Sequence, residues 1–244
     1  MNKIWLLQKL RIFESIPSKD IENIDKLSKM EYYKKNDNIY LDEPSFSSIY
    51  VLKEGNVKIT LSNEDGKEYI VEILKPGEIF GNFGDYIFSS PARLDFLEAE
   101  NAYAMTDSLV CKFKKDDFDK ILANYPDISN KILKLIGLRF KYVSTKIISL
   151  AYKSLDIRIA EVLIYLANNF GIKEMTEKSP LETKQSLQIK FKLTHEEISN
   201  LAGASRQRTT IILDKLKYLG IIDFYKKRLI IKDLNKLKEI AGHF

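Results

Sequence analysis

The chain has 244 residues, 45% apolar and 30% charged, enough for one large or two ordinary domains with packed cores, and unlike a disordered or fibrous chain. No apolar run approaches the roughly 18 to 20 residues that span a bilayer, and Met1-Asn2-Lys3-Ile4-Trp5-Leu6-Leu7 meets Gln8, Lys9 and Arg11 too soon for a secretory signal, so a soluble, cytoplasmic protein without a membrane partner is expected. The net charge of +5 lies entirely in residues 155 to 244, with 16 basic and 11 acidic side chains, whereas the first 154 balance at 23 each; only the C-terminal part suits a polyanion such as nucleic acid.

Between about residues 31 and 116, short β-rich runs are broken by turn signals: Asn36-Asp37-Asn38, Glu54-Gly55-Asn56, Glu64-Asp65-Gly66 and Lys75-Pro76-Gly77. A spacing near ten residues predicts an antiparallel sandwich or barrel. Ser48 to Leu52, Val57 to Leu61 and Tyr69 to Leu74 read as successive hairpin strands. From Tyr125 the period becomes helical, and Leu133, Ile136, Phe140, Val143, Ile147 and Leu150 recur at alternating steps of three and four. That stripe fits either a core helix or a dimer coiled coil. A second face, Leu135, Leu138 and Tyr142, suits packing on the β-domain. Ser154 or Asp156 caps a further helix, Ile157 to Asn169, before Gly171, and the polar stretch from Lys173 to Ser186 reads as a loop.

Thr194-His195-Glu196-Glu197 is a capping box, with Thr194 at the helix start and Glu197 reaching back to its amide. The short helix runs to Leu201, turns through Ala202-Gly203-Ala204, and Ser205 caps a second helix from Arg206 to Leu219. This is a helix-turn-helix, whose second helix enters the major groove of double-stranded DNA. Its first turn offers Arg206, Gln207, Arg208 and Thr210 to bases and phosphates, while Ile212, Leu213, Leu216 and Leu219 form the inward face. Two strand-like runs, Ile221 to Phe224 and Leu229 to Ile231, joined by Lys226, Lys227 and Arg228, complete a winged helix with a basic wing. Glu196 and Glu197 point about 100° apart on a helix, so they make no catalytic pair; no catalytic set is found, and no enzyme is expected. His195 reads as an exposed first-turn residue. Cys111, the single cysteine, excludes an internal disulfide framework and a four-thiolate metal site, and with only His195 and His243 no metal or cofactor is expected.

On these residues the chain resembles the CRP/FNR family of bacterial transcription regulators. The N-terminal resemblance rests on Ile39-Tyr40, Ile49 to Gly55, Glu64-Asp65-Gly66, Pro76 to Gly81 and Ala104 to Ser108; the C-terminal one rests on Leu193 to Ile198, Ala202 to Arg206 and Leu216 to Ile222. The resemblance implies an α+β chain: a cyclic-nucleotide-binding-like antiparallel β jelly roll over 1–124, a dimerisation helix over 125–153 and a winged helix-turn-helix over 154–244. It implies a homodimer on a palindromic site, a small effector, and RNA polymerase as partner if the protein activates. It places Arg206 where the family reads guanine and makes Thr194 and Ser205 phosphate-facing caps. Gln207 and Ile211 depart from the family's glutamate and second arginine, so the half-site should differ; glutamine favours adenine.

The same resemblance puts the effector at Phe80, Gly81, Asn82, Glu98, Ala99, Val143 and Ser144. Asn82 replaces the ribose-binding glutamate, Glu98 and Ala99 replace the phosphate-binding Arg-Ser pair, and Val143-Ser144 replace an adenine-contacting Thr-Ser pair. An acid where a phosphate needs a cation argues against cyclic AMP. Arg93 is the alternative cation for a cyclic nucleotide, and a ligand-independent regulator or a signalling module that does not bind DNA are further alternatives. The family's iron–sulfur sensors use several cysteines, and its heme sensors need a β-domain axial ligand for which only Cys111 is present. Phe80, Phe83, Phe96, Tyr142 and Val143 read equally as pocket lining or core.

Overall fold

The computed structural model describes residues 12–14, 16–40, 48–62, 68–81, 100–173 and 186–242. They belong to two compact units, 1–142 and 143–244.

The first unit holds α1 (Ser18–Leu27), β1 (Ser28–Tyr33), β2 (Ser48–Glu54), β3 (Val57–Ser62), β4 (Glu68–Leu74), β5 (Ile79–Gly81), β6 (Glu100–Ala104), β7 (Ser108–Lys114), α2 (Lys115–Asn124) and most of α3 (Pro126–Tyr152). The strands form two antiparallel sheets, β1-β7-β2-β5 and β4-β3-β6, the expected roll. β2 is buried along its length from Ser48 to Lys53, because its two faces meet different cores. Ile49 and Val51 join Phe113 and the helical Ile21, Phe118, Ile128 and Ile132. Tyr50 and Leu52 turn between the sheets to Val57, Ile59, Phe80 and Ala102. A strand covered on both sides loses its polar alternation. Between β2 and β3 the chain needs Gly55, at φ 89°, since a Cβ there would lie 2.5 Å from the Asp107 carbonyl oxygen. The turn at Glu64-Asp65-Gly66 lies outside the described residues; Ser62 and Glu68 on either side of it are paired.

Helix α2 was not anticipated. Its period is legible in Phe118 and Ile121, both buried, behind Asp116 and Asp117 in the first turn, where acids suit the helix dipole. On α3, Ile128 and Ile132 are buried in the helix-facing core, with Leu135 and Ile136 packed against it. Ile136, expected in the dimer stripe, therefore turns onto the β-unit. Leu138, expected to pack inward beside Leu135 and Tyr142, is 65% exposed. Steps of four and three from Ile128 pass through Ile132, Leu135, Arg139 and Tyr142, leaving Leu138 off that ridge.

The second unit contains the end of α3, α4 (Leu155–Phe170), β8 (Gly171–Lys173), β9 (Leu187–Lys192), α5 (His195–Ala202), α6 (Arg206–Tyr218), β10 (Ile222–Tyr225), β11 (Arg228–Ile231) and α7 (Leu234–Ile240). Its strands form one antiparallel sheet in the order β10-β11-β9-β8. The stretch read as a loop, Lys173 to Ser186, begins on the last residue of β8, since Lys173 pairs with Leu187; Ser186 lies just before β9, and 174–185 lie outside the described residues. The missed signal was the alternation of β9, with Ile189 and Phe191 buried and Lys190 and Lys192 exposed. Helix α4 supplies the core with Ile159, Leu163, Leu166 and Phe170, and the Phe170 ring meets Phe191 edge-on at 5.1 Å. Ser154 holds the N-cap position of α4 without a side-chain bond, and Asp156 sits in its first turn. Among the described residues no helix is long and apolar enough to cross a membrane.

Candidate nucleic-acid interface

Local chemistry fixes the turn between α5 and α6. Thr194 Oγ1 accepts from the Glu197 amide at 3.1 Å, and the Glu197 carboxylate accepts from the Thr194 amide at 2.9 Å, the reciprocal pair expected of a capping box. Thr194 Oγ1 also donates to Glu197 at 3.1 Å, so this hydroxyl is committed within the box. Helix α5 ends on Gly203 at φ 61°, ψ 49°, which a residue with a Cβ adopts only under strain. Arg158 on α4 donates to the Ala202 and Gly203 carbonyls at 3.0 and 3.1 Å, neutralising the open end of α5. Ser205 then caps α6 by accepting from the Arg208 amide.

Helix α6 seats itself through Thr209, Leu213 and Leu216, all buried. Leu219, expected on that face, lies past the helix as its C-cap and is 51% exposed. Arg206, Gln207 and Arg208 are exposed, with an Arg206 nitrogen 4.0 Å from Glu196. Thr210 is half-buried, and its hydroxyl lies 3.0 Å from Nδ1 of His195. His195 is thus not the exposed first-turn residue expected from sequence: its ring also lies 5.3 Å from that of Phe224, tying the start of α5 to α6 and to β10. Those partners are 15 and 29 positions away, beyond any local sequence signal.

The wing turns on Lys226 and Lys227, at φ 48° and 64°, left-handed positions that normally favour glycine or asparagine. Arg228 begins β11 rather than sitting in the turn, and its guanidinium reaches Gln188 on β9 at 3.4 Å. All three cations are exposed. The Lys227 carbonyl accepts from the Leu193 amide, which joins the turn to the chain entering α5. At the base of the wing Asp223 accepts from Lys232 at 2.7 Å, and Lys217 lies 3.5 Å away; the Lys232 bond foremost holds its carboxyl below the usual value.

The expected effector residues divide. Asn82, Glu98 and Ala99, with Arg93, lie outside the described residues. Phe80 is core, stacked on Tyr50 at 5.2 Å and 6.2 Å from Tyr40, and Gly81 at φ 102° is required because a Cβ would meet the Ser48 carbonyl oxygen at 2.6 Å. Val143 and Ser144 lie on α3 in the second unit, exposed and half-buried respectively. Sequence reasoning missed a polar group on the roll. Glu72 pairs opposite Ile59, and Ile59 opposite Ala102, so Glu72 and Glu100, two residues before Ala102, lie on one face, Glu72 half-buried and Glu100 exposed at the start of its strand. Arg139 on α3 binds Glu72 at 3.1 Å and donates to the Ile79 carbonyl at 2.9 Å; Tyr40 donates to Glu100 at 3.2 Å. Burial raises both carboxyls above their usual values, against the pull of Arg139 and, for Glu100, of the Tyr40 bond. The available signal was one carboxylate inside the apolar run Tyr69-Ile70-Val71-Glu72-Ile73-Leu74.

Along α3, Leu133, Phe140 and Ile147 follow one another at steps of seven and are exposed, Phe140 by 74%. Val143 and Leu150 flank them, and Leu150 also packs beside Gly203. Cys111 is buried in β7, and among the described residues no three His, Cys, Asp or Glu side chains gather into a metal-ligating group.

A family model for a cyclic nucleotide-binding domain matches residues 30–125, and one for a Crp-like helix-turn-helix domain matches residues 157–240. A relative from Mycobacterium tuberculosis, described as a CRP-like cAMP-activated global transcriptional regulator, is 24% identical over 236 residues, 97% of this chain and 98% of its own length. Among solved structures, a variant of CooA from Carboxydothermus hydrogenoformans is 26% identical with a TM-score of 0.67, covering 90% of each chain. FixK2 from Bradyrhizobium japonicum shares the fold at 18% identity and a TM-score of 0.67, over 87% of this chain and 96% of its own. With its β-roll, its capped helix-turn-helix and both domain models matched in that order, the chain belongs to the CRP/FNR family of transcription regulators.

Proposed function

We propose that this regulator binds a palindromic double-stranded DNA site as a homodimer, reads it with α6, and answers to a small effector other than cyclic AMP. The division of labour is a sensor over 1–124, a dimerisation helix over 125–153 and a DNA-binding module over 154–244. Arg206 and Gln207 address base edges; Arg208, Lys226, Lys227 and Arg228 address phosphates, with Ser205 and Thr194 at the helix starts and Thr210 buttressing the helix through His195. Leu133, Phe140, Val143, Ile147 and Leu150 form the dimer seam.

The observation that carries the DNA reading is the rigid presentation of α6: a capping box, a left-handed glycine and the Arg158 clamp leave its polar first turn open beside a basic wing. The effector reading rests on the polar group of the roll, where among the described residues Arg139 binds Glu72 and the Ile79 carbonyl and Tyr40 binds Glu100. Two carboxylates beside one guanidinium are ill matched to a cyclic phosphate, and Asn82, Glu98 and Ala99 add no cation. An activator of this type also contacts RNA polymerase.

The test is a mobility-shift titration of the full chain on the DNA upstream of its own gene and on random duplex, with and without cyclic AMP, together with calorimetry of cyclic AMP binding. Preferential retention of one duplex with no heat from cyclic AMP supports the reading. Micromolar cyclic AMP affinity with tighter operator binding overturns the effector half and favours Arg93 as the phosphate cation. Failure to retain any duplex at low salt overturns the DNA half.

A further inference from the structure

The recognition helix has a buried side and an open ridge. Thr209, Leu213 and Leu216 face inward, and the side opposite them runs through Gln207, Ile211, Asp214 and Tyr218 at steps of four, three and four. All four are exposed, Ile211 by 62% and Tyr218 by 91%. On the flanks Arg206, exposed and 4.0 Å from Glu196 on α5, stays open to the duplex, while the Thr210 hydroxyl lies against His195. In a helix-turn-helix the N-terminal part of the second helix approaches the bases. Asp214 sets the limit of that approach, because phosphate oxygens repel its carboxylate. Gln207 and Ile211 are therefore the two ridge residues placed to reach base edges.

Isoleucine neither donates nor accepts a hydrogen bond, so at this position it contributes nothing to phosphate anchoring or to polar base reading. Of the groups that base edges present in the major groove, the 5-methyl of thymine is apolar and the others are hydrogen-bond donors or acceptors. A branched aliphatic side chain one turn beyond Gln207, flanked by cations that draw the helix onto the duplex, has that methyl as its complement. We infer that Ile211 is a specificity-determining residue that packs against a thymine 5-methyl group in each half-site, next to the base that Gln207 reads. The inference rests on the DNA-binding reading above and names the base chemistry that reading leaves open.

The experiment removes the methyl from the DNA. The full chain selects its preferred duplex from a randomised pool, and each thymine of the half-site is then replaced in turn by deoxyuridine, which keeps every hydrogen bond and lacks only the methyl. At one position per half-site the affinity should fall about fourfold, and about fifteenfold when both half-sites are changed, the size expected for burying one methyl-sized group per site. Ile211→Ala should bind the thymine and deoxyuridine duplexes equally while keeping the wild-type melting temperature, which reports an intact domain because Ile211 is exposed. Wild-type affinity that is indifferent to deoxyuridine at every thymine, or an Ile211→Ala variant that keeps the same sensitivity, overturns the inference. A chain that enriches no duplex at all overturns the DNA-binding reading and the inference with it, an outcome distinct from enrichment without methyl sensitivity.

Discussion

Asp223 and Glu72 respond to pH in opposite directions. The folded carboxyl of Asp223 lies below its usual value of 3.8, first because Lys232 donates to it, so its contribution is present above 3.8 and is lost as the pH falls through the lower, folded value. Asp223→Asn should lower Tm at pH 7, and the gap to wild type should close in the acid limb of a calorimetric series from pH 7 to 3; a gap independent of pH would show that the ion pair is not its source. Glu72 is raised above its usual 4.5 chiefly by burial, so its ionisation weakens the roll as pH rises above 4.5. Glu72→Gln should therefore gain on wild type as the pH rises above 4.5 and level off above the raised, folded value in the same measurement. Base reading and anchoring separate residue by residue as well. Arg206→Ala should cost about 1 to 3 kcal/mol on the selected palindrome and relax preference at one base pair, whereas Lys227→Ala should weaken all duplexes alike and reduce the salt slope by roughly one. Titrations against single-base variants at several salt concentrations distinguish the two; an equal loss on every duplex for Arg206→Ala would make its role electrostatic.

Among elements, α3 offers the sharpest contrast, because neighbouring side chains one residue class apart have different fates. Phe140→Lys with Ile147→Lys should release monomers in sedimentation velocity, since a stripe this apolar on an exposed helix needs a partner. Ile136→Lys should instead lower the unfolding midpoint of the β-unit, because Ile136 packs on its core. A double variant that still sediments as a dimer would move the interface elsewhere. The heptad spacing alone treated Ile136 and Phe140 as equivalents; the β-unit that separates them is assembled from strands distant in sequence. By contrast, α5 and α6 were legible nearly to the residue, because Thr194, Glu197, Gly203 and Ser205 act within a few positions of themselves. Thr194→Ala should cost about 1 kcal/mol in a urea titration of the DNA-binding unit. The strand β9 carried a readable alternation that its polar neighbours concealed.

For the whole molecule, charge and architecture coincide: the excess of +5 falls within the residues that carry the helix-turn-helix and wing. The order of roll, long helix and winged helix was legible because each has its own period. The polar group of the roll was not, since Tyr40, Glu72, Glu100 and Arg139 come from four elements or turns spread over 100 positions and meet only once the sheets close. The wing turn carries a last consequence for engineering. Two lysines at φ 48° and 64° hold backbone conformations that Asn-Gly adopts with less strain, so this hairpin sacrifices robustness to keep two cations at its tip. Lys226→Asn with Lys227→Gly should therefore raise Tm by a few degrees while weakening DNA retention, a trade-off in which thermostability and grip move in opposite directions in one protein, measurable by parallel melting and mobility-shift series.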